Sequence, residues 1–127
     1  MKSYRKGYAA ENELVHMLYD KGFAVLRAPR SGRVSIPSPD IVALKSGRVL
    51  IIECKSHKDG FAVPHEQMEQ LREWERRSGG SAYIAWKVAY KGWFFLALDI
   101  VESNRGNVNK RMLADHGVHF DEFLRSL

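Results

Sequence analysis

A single cysteine, Cys54, stands in a chain of 127 residues. It excludes an intrachain disulfide and leaves a cysteine-based zinc site without its ligands. No apolar run approaches the roughly 20 residues of a membrane span. The basic N-terminus lacks the apolar stretch of about 7–15 residues that a secretory signal carries. Repeats, low-complexity stretches and long linkers are also missing. The expectation is one domain, residues 1–127, of a soluble, cytoplasmic protein. Acids are the scarcer charge, 15 Asp and Glu against 20 Lys and Arg, for a net charge of +5. That balance favours a polyanionic partner without naming one. With 45% hydrophobic and 11% aromatic residues, the composition is that of a globular protein.

The apolar pattern predicts a helix over Ser3–Lys21, stopped at Gly22. Three short apolar segments follow, Phe23–Arg27, Asp40–Lys45 and Arg48–Lys55, the last two joined by the hairpin signal Ser46-Gly47. A second helix should run from Pro64 or His65 to Ser78, then strands Ser81–Val88 and Trp93–Leu98 around a turn. The tail carries turn-prone Asn104–Asn107 and a short helix over Asp121–Leu127. The order α-β-β-β-α-β-β points to an α/β fold, a central mixed β-sheet flanked by helices.

The most informative stretch is Val49-Leu50-Ile51-Ile52 running into Glu53-Cys54-Lys55. Side chains alternate along a strand, so Glu53 and Lys55 share one face and Cys54 takes the other. Asp40 follows a proline and heads Ile41-Val42-Ala43-Leu44. Two carboxylates and an amine converging where a sheet leaves its core are costly to bury, yet suited to holding a divalent cation beside a phosphodiester. Asp40, Glu53 and the backbone carbonyl of Cys54 would be oxygen ligands of Mg²⁺, with Mn²⁺ as substitute. Lys55 would orient an attacking water or offset developing charge. A plain surface pair between Glu53 and Lys55 is the competing reading. On the first helix, Glu11 shares a face with Leu14, Val15 and Leu18, whereas Glu13 lies opposite. Glu11 must therefore meet water, a cation or a metal, or else pair with Arg5, Lys6 or an arginine of the next strand. Gln67 faces inward from the second helix, as a ligand-side hydrogen-bonder or as a satisfied rim residue. Cys54 reads as core, and the five histidines as structural or solvent-facing.

Pro39-Asp40 with Glu53-Cys54-Lys55 resembles the PD-(D/E)xK nuclease signature, a short and degenerate motif. A wider set resembles the archaeal Holliday-junction resolvases. It comprises Arg5-Lys6-Gly7 and Glu11, Lys21 to Val25, Arg27-Ala28-Pro29 with Ser31-Gly32, Asp40 to Leu44, Glu53 to Ser56, and Ser78-Gly79-Gly80. The resemblance covers about residues 3 to 98. It implies a restriction-endonuclease-like fold and a homodimer that cuts four-way DNA junctions by paired incisions using Mg²⁺ or Mn²⁺. Glu11, Asp40, Glu53 and Lys55 would be its catalytic set, with Glu11 joining Asp40, Glu53 and the Cys54 carbonyl at the metal and Ser31 an additional active-site residue. The chain departs from some members at Asn12, where they carry arginine, and in a shorter segment after Lys55. The tail from about Asp99 matches little and is assigned no role.

Arg30 and Arg33 flank Ser31-Gly32 just before Asp40, Arg5 and Lys6 lie near Glu11, and Lys58 follows Lys55. All five suit phosphate contacts that position DNA without reading its sequence. Trp93-Phe94-Phe95-Leu96 is apolar on both faces, so one face is expected on the second helix and the other left for a second subunit, unless both belong to the core. A sliding clamp or a junction-migrating helicase would suit such an enzyme as partner, although no motif points to either. The alternatives are another PD-(D/E)xK endonuclease and a non-catalytic DNA-binding module.

Overall fold

The computed structural model describes residues 2–28 and 36–127, with side chains from Gly7 onward in the first helix. Helix α1 (Lys2–Asp20) leads into β1 (Ala24–Arg27), β2 (Ile41–Lys45) and β3 (Arg48–Lys55). Then come β4 (Phe61–Ala62), α2 (His65–Ser78), β5 (Ser81–Val88) and β6 (Gly92–Ala97). The tail forms α3 (Leu98–Ser103), β7 (Asn107–Val108), α4 (Lys110–His116), β8 (Val118–His119) and α5 (Phe120–Arg125). The six-stranded sheet runs in the order β1-β2-β3-β5-β6-β8. Only β3 and β5 pair in parallel, with α2 as their crossover. Ser46 and Gly47, both at positive φ, make the two-residue turn between β2 and β3.

Alternation along the strands sends two apolar sets to opposite faces. On one, Leu50, Ile52, Trp93 and Phe95 pack with Leu14 and Leu18 of α1 and with Phe120 and Phe123 of α5. On the other, Ile51, Ile84, Trp86 and Leu96 pack with Met68 and Leu71 of α2, and with Leu98, Val101 and Met112 of the tail. Trp93 and Phe95 are therefore covered by α1 and α5, and Leu96 lies in the opposite core. The apolar excess of β6 does not leave a face for a second subunit, because the tail supplies the missing layers. Among the described residues, no helix is long and apolar enough to cross a membrane.

The tail also fastens the segment that follows Lys55. Strand β4 pairs with β7 and Val63 N–H donates to Gly106 O at 2.8 Å, while from β5 Trp86 Nε1 donates to His57 O at 2.9 Å. Gly106 has φ +87°, and a Cβ there would come within 2.3 Å of Val63 O. Only glycine lets the two backbones approach this closely.

Candidate active site

Strand β3 outruns its neighbour. The ladder from β2 ends at Ile41 opposite Ile52, whereas β5 still pairs Glu53, Cys54 and Lys55. The notch left beside β3 is filled by Asp40, whose Oδ2 accepts the Cys54 N–H at 2.8 Å in place of the missing ladder bond. The N–H and C=O of one strand residue point to the same side. The Cys54 carbonyl therefore opens toward Asp40 as well.

Glu53 and Lys55 face α2. Glu53 is 8% exposed although charged when ionised, and its Oε2 accepts Nε2–H of Gln67 at 2.7 Å. Gln67 Oε1 accepts from Lys55 Nζ at 3.1 Å, so the amide stands between the acid and the amine. Burial first, and then the neighbouring Asp40 charge, lift the Glu53 carboxyl to about 8, with Lys55 offsetting part of the effect. Ser38, Pro39, Glu53, Gln67, Leu71 and Trp74 enclose a crevice of about 20 Å³, room for one water. Trp74 Nε1 donates to Pro37 O at 2.8 Å and ties the approach to Asp40 onto α2.

Glu11 comes from the other side of the sheet. It is buried, at 6% exposure, and its Oε1 accepts from Arg27 Nε at 3.2 Å. The Arg27 guanidinium lies 3.8 Å from the centre of the Tyr8 ring, and its buried Nη2 has no hydrogen-bond partner among the described residues. Cys54 shares this face. Burial pushes its thiol well above the ordinary range, and the charges of Asp40, Glu11 and Glu53 add to the rise. A thiol so disfavoured as thiolate is not a nucleophile. Glu13, expected in solvent, accepts from Lys87 Nζ at 2.5 Å and from Trp93 Nε1 at 2.9 Å, and the Lys87 bond draws its carboxyl below the usual range.

Asp40, Glu53 and Lys55 thus come together, with Gln67 joined to the latter two, and Glu11 approaches through the Arg27 side. Among the described residues, no three His, Cys, Asp or Glu side chains gather closely enough to hold a metal. The pair Asp40 and Glu53 still fits a hard divalent cation. Its donors are oxygens, and the mutual repulsion that lifts Glu53 is the kind a cation relieves. Lys58 is exposed just beyond Lys55. Arg30, Ser31 and Arg33 lie outside the described residues, as do the side chains of Arg5 and Lys6. A larger concavity, about 440 Å³, sits at the other end of the sheet between Lys21, Lys45, Arg48 and Arg125. It contains none of these groups, so the candidate site is an open notch and not this hollow. Arg27 as the partner of Glu11 was only one of several options in the sequence. Trp74 was legible there as a helix-face residue but not as a clamp on Pro37.

The whole chain, residues 2–127, matches the archaeal Holliday junction resolvase (Hjc) family. The chain belongs to that family. The match runs through the tail, which sequence motifs alone had left outside. A crossover junction endodeoxyribonuclease Hjc of Sulfolobus acidocaldarius is 39% identical, over 98% of this chain and 90% of its own. A second, from Archaeoglobus fulgidus, is 36% identical over 84% of this chain and 78% of its own. The solved structure of the Archaeoglobus fulgidus Hjc Holliday junction resolvase superposes with a TM-score of 0.81 at 30% identity, covering 91% of this chain and 96% of that one. The resolvase fold, a mixed sheet flanked by helices and consistent with the restriction-endonuclease-like class, is the fold described above.

Proposed function

We infer that this protein is a structure-selective endonuclease that resolves four-way DNA junctions by paired, metal-dependent hydrolysis of phosphodiesters. The observation that carries this reading is the notch where Asp40, Glu53 and Lys55 meet at the end of β3, in a chain that belongs to the resolvase family along its length. Asp40, Glu53 and the Cys54 carbonyl would hold Mg²⁺, or Mn²⁺ in its place, with waters completing the shell. Bound there, the cation supplies a more acidic water and relief of charge on the phosphoryl oxygens.

The chain's own groups do the rest. The Cys54 N–H fixes the Asp40 carboxylate at the strand end. Lys55 projects from the same face as Glu53, where its ammonium steers the attacking water or offsets charge as it develops. Glu11, held by Arg27, adds negative charge on the Cys54 side. Ser31 is assigned an active-site role on the resemblance alone. Arg5, Lys6, Arg30, Arg33 and Lys58 contact phosphates, which position the junction without reading base edges.

Two cuts placed symmetrically across a junction require two active sites, hence a homodimer acting on DNA in the cytoplasm. The surface that supports this reading is the outer part of the β1–β2 pair. There Leu26 and Leu44 are 69% and 37% exposed on one face, beyond the reach of α2. An end-labelled four-way junction and a linear duplex of equal sequence, each incubated with Mg²⁺ or EDTA, test the function. Metal-dependent symmetric nicks in the junction alone are expected. Cutting of both substrates would indicate a general nuclease, and tight binding without cutting a DNA-binding module.

A further inference from the structure

We propose that Gln67 is a positioning residue of the active site, holding Glu53 and Lys55 in fixed mutual orientation so that Glu53 stays available to a divalent cation. The inference rests on the metal-nuclease reading above and deepens it.

The two strand residues lie two apart on one face, close enough for their opposite charges to attract. Left alone, the Lys55 ammonium would fold onto the Glu53 carboxylate and compete with any cation for it. The Gln67 amide prevents this by taking both partners. Its N–H donates to Glu53 at 2.7 Å and its carbonyl accepts from Lys55 at 3.1 Å. This orientation is the one the chemistry permits. A flipped amide would set its NH₂ against an ammonium and its carbonyl against a carboxylate. The Lys55 bond is charge-assisted, and the Glu53 bond becomes so when the carboxyl ionises to take a cation, so the amide is held firmly.

The backbone makes the arrangement rigid. Gln67 is in the first turn of α2, which begins at His65, and its neighbours Met68 and Leu71 are buried in the core against Ile51 and Ile84. Trp74, two helical turns on along the same side, holds Pro37 and so the approach to Asp40. One helix therefore grips both halves of the motif, Asp40 through its preceding loop and Glu53 with Lys55 directly. Groups that orient a metal's carboxylate ligands from behind cost about 10–100-fold in metal affinity or activity when removed.

Gln67→Met keeps the side-chain length and the helix propensity but removes both hydrogen bonds. Four quantities are compared with wild type: Mn²⁺ binding by calorimetry on the protein alone, junction affinity in EDTA, the thermal unfolding midpoint, and single-turnover nicking at saturating junction. The expected result is Mn²⁺ affinity weakened about tenfold or more and nicking slowed about 10–100-fold. Junction affinity in EDTA should stay within about twofold, and the unfolding midpoint should be unchanged. Unaltered Mn²⁺ affinity with full-rate nicking would overturn the proposal. So would a loss of nicking matched by an equal loss of junction affinity or of thermal stability, which would mark Gln67 as merely structural. Wild-type protein that neither binds Mn²⁺ nor nicks the junction would overturn the nuclease reading itself, and this inference with it.

Discussion

Replacing Asp40 by Asn should inactivate the enzyme and, at the same time, stabilise the metal-free protein. The two effects have one cause. Glu53 is lifted to about 8 by burial and, to a lesser degree, by Asp40. Its folded-state value then lies above its unfolded value near 4.5. The folded protein binds the extra proton between those limits, so this group's contribution to stability falls as pH rises from about 4.5 to about 8. At about 1.4 kcal/mol per pH unit the whole displacement corresponds to about 5 kcal/mol, of which Asp40 supplies only the lesser part. Asparagine keeps an oxygen to accept the Cys54 N–H while removing the charge. In EDTA at fixed protein concentration, Asp40→Asn should therefore be more stable than wild type at pH 9, by a minor fraction of that displacement. No such gain is expected at pH 5, where Glu53 holds its proton in both proteins. Urea titrations followed by tryptophan fluorescence measure this. Added Mg²⁺ should stabilise wild type and not the variant. A variant equally destabilised at both pH values would refute the electrostatic coupling of Asp40 to Glu53, and nicking at the wild-type rate would remove Asp40 from the site.

Arg30→Ala combined with Arg33→Ala should weaken junction binding and flatten its salt dependence, because fewer counterions are released. An unchanged slope of affinity against salt would take that loop out of the interface. Leu26→Glu with Leu44→Glu should convert the proposed homodimer to monomer in sedimentation velocity and abolish paired cutting, and a persistent dimer would place the interface elsewhere. Gly106→Ala forces a Cβ to within 2.3 Å of Val63 O at a left-handed φ. It should cost at least about 1–2 kcal/mol in thermal unfolding, since neither the backbone angle nor the contact can be kept. Wild-type stability in this variant would mean that the tail does not hold the post-Lys55 loop tightly.

The strands and long helices were legible because each carries its own periodicity. Arg48–Lys55 and Ser81–Val88 fall where apolar runs and turn residues place them, and α2 begins just after Pro64 as expected. The tail was legible at its turn-prone Asn104–Asn107 and its last helix, expected over Asp121–Leu127 and found as α5, but the rest was not, for a physical reason. Strands β4, β7 and β8 have two residues each, too short for any alternation, and helices α3 and α4 have 6 and 7 residues. What fixes them is contact with distant segments, such as the pairing of Phe61 with Val108 and the stacking of Phe123 on Phe95. Of the two readings of the second apolar face of β6, a subunit interface or core, the structure gives core, because Phe120 and Phe123 of α5 cover it, a packing that the helix signal alone does not reveal.

The position of Glu11 shows a different limit. Helical periodicity says which side of α1 meets the sheet, and Glu11 does lie on that side, buried with Ala10, Leu14 and Leu18. Periodicity does not say which face of the sheet receives the helix. Strand alternation fixes that once the register is known. Leu50, Ile52 and Cys54 face α1, so Glu53 and Lys55 must face away from it toward α2. Asp40 meets both sides because it stands past the last rung of β2 and reaches the Cys54 backbone edgewise. Two acids on opposite faces can act on one phosphodiester only where the sheet ends. The proposed catalytic residues accordingly lie at a strand terminus, where the apolar run of β3 gives way to Glu53.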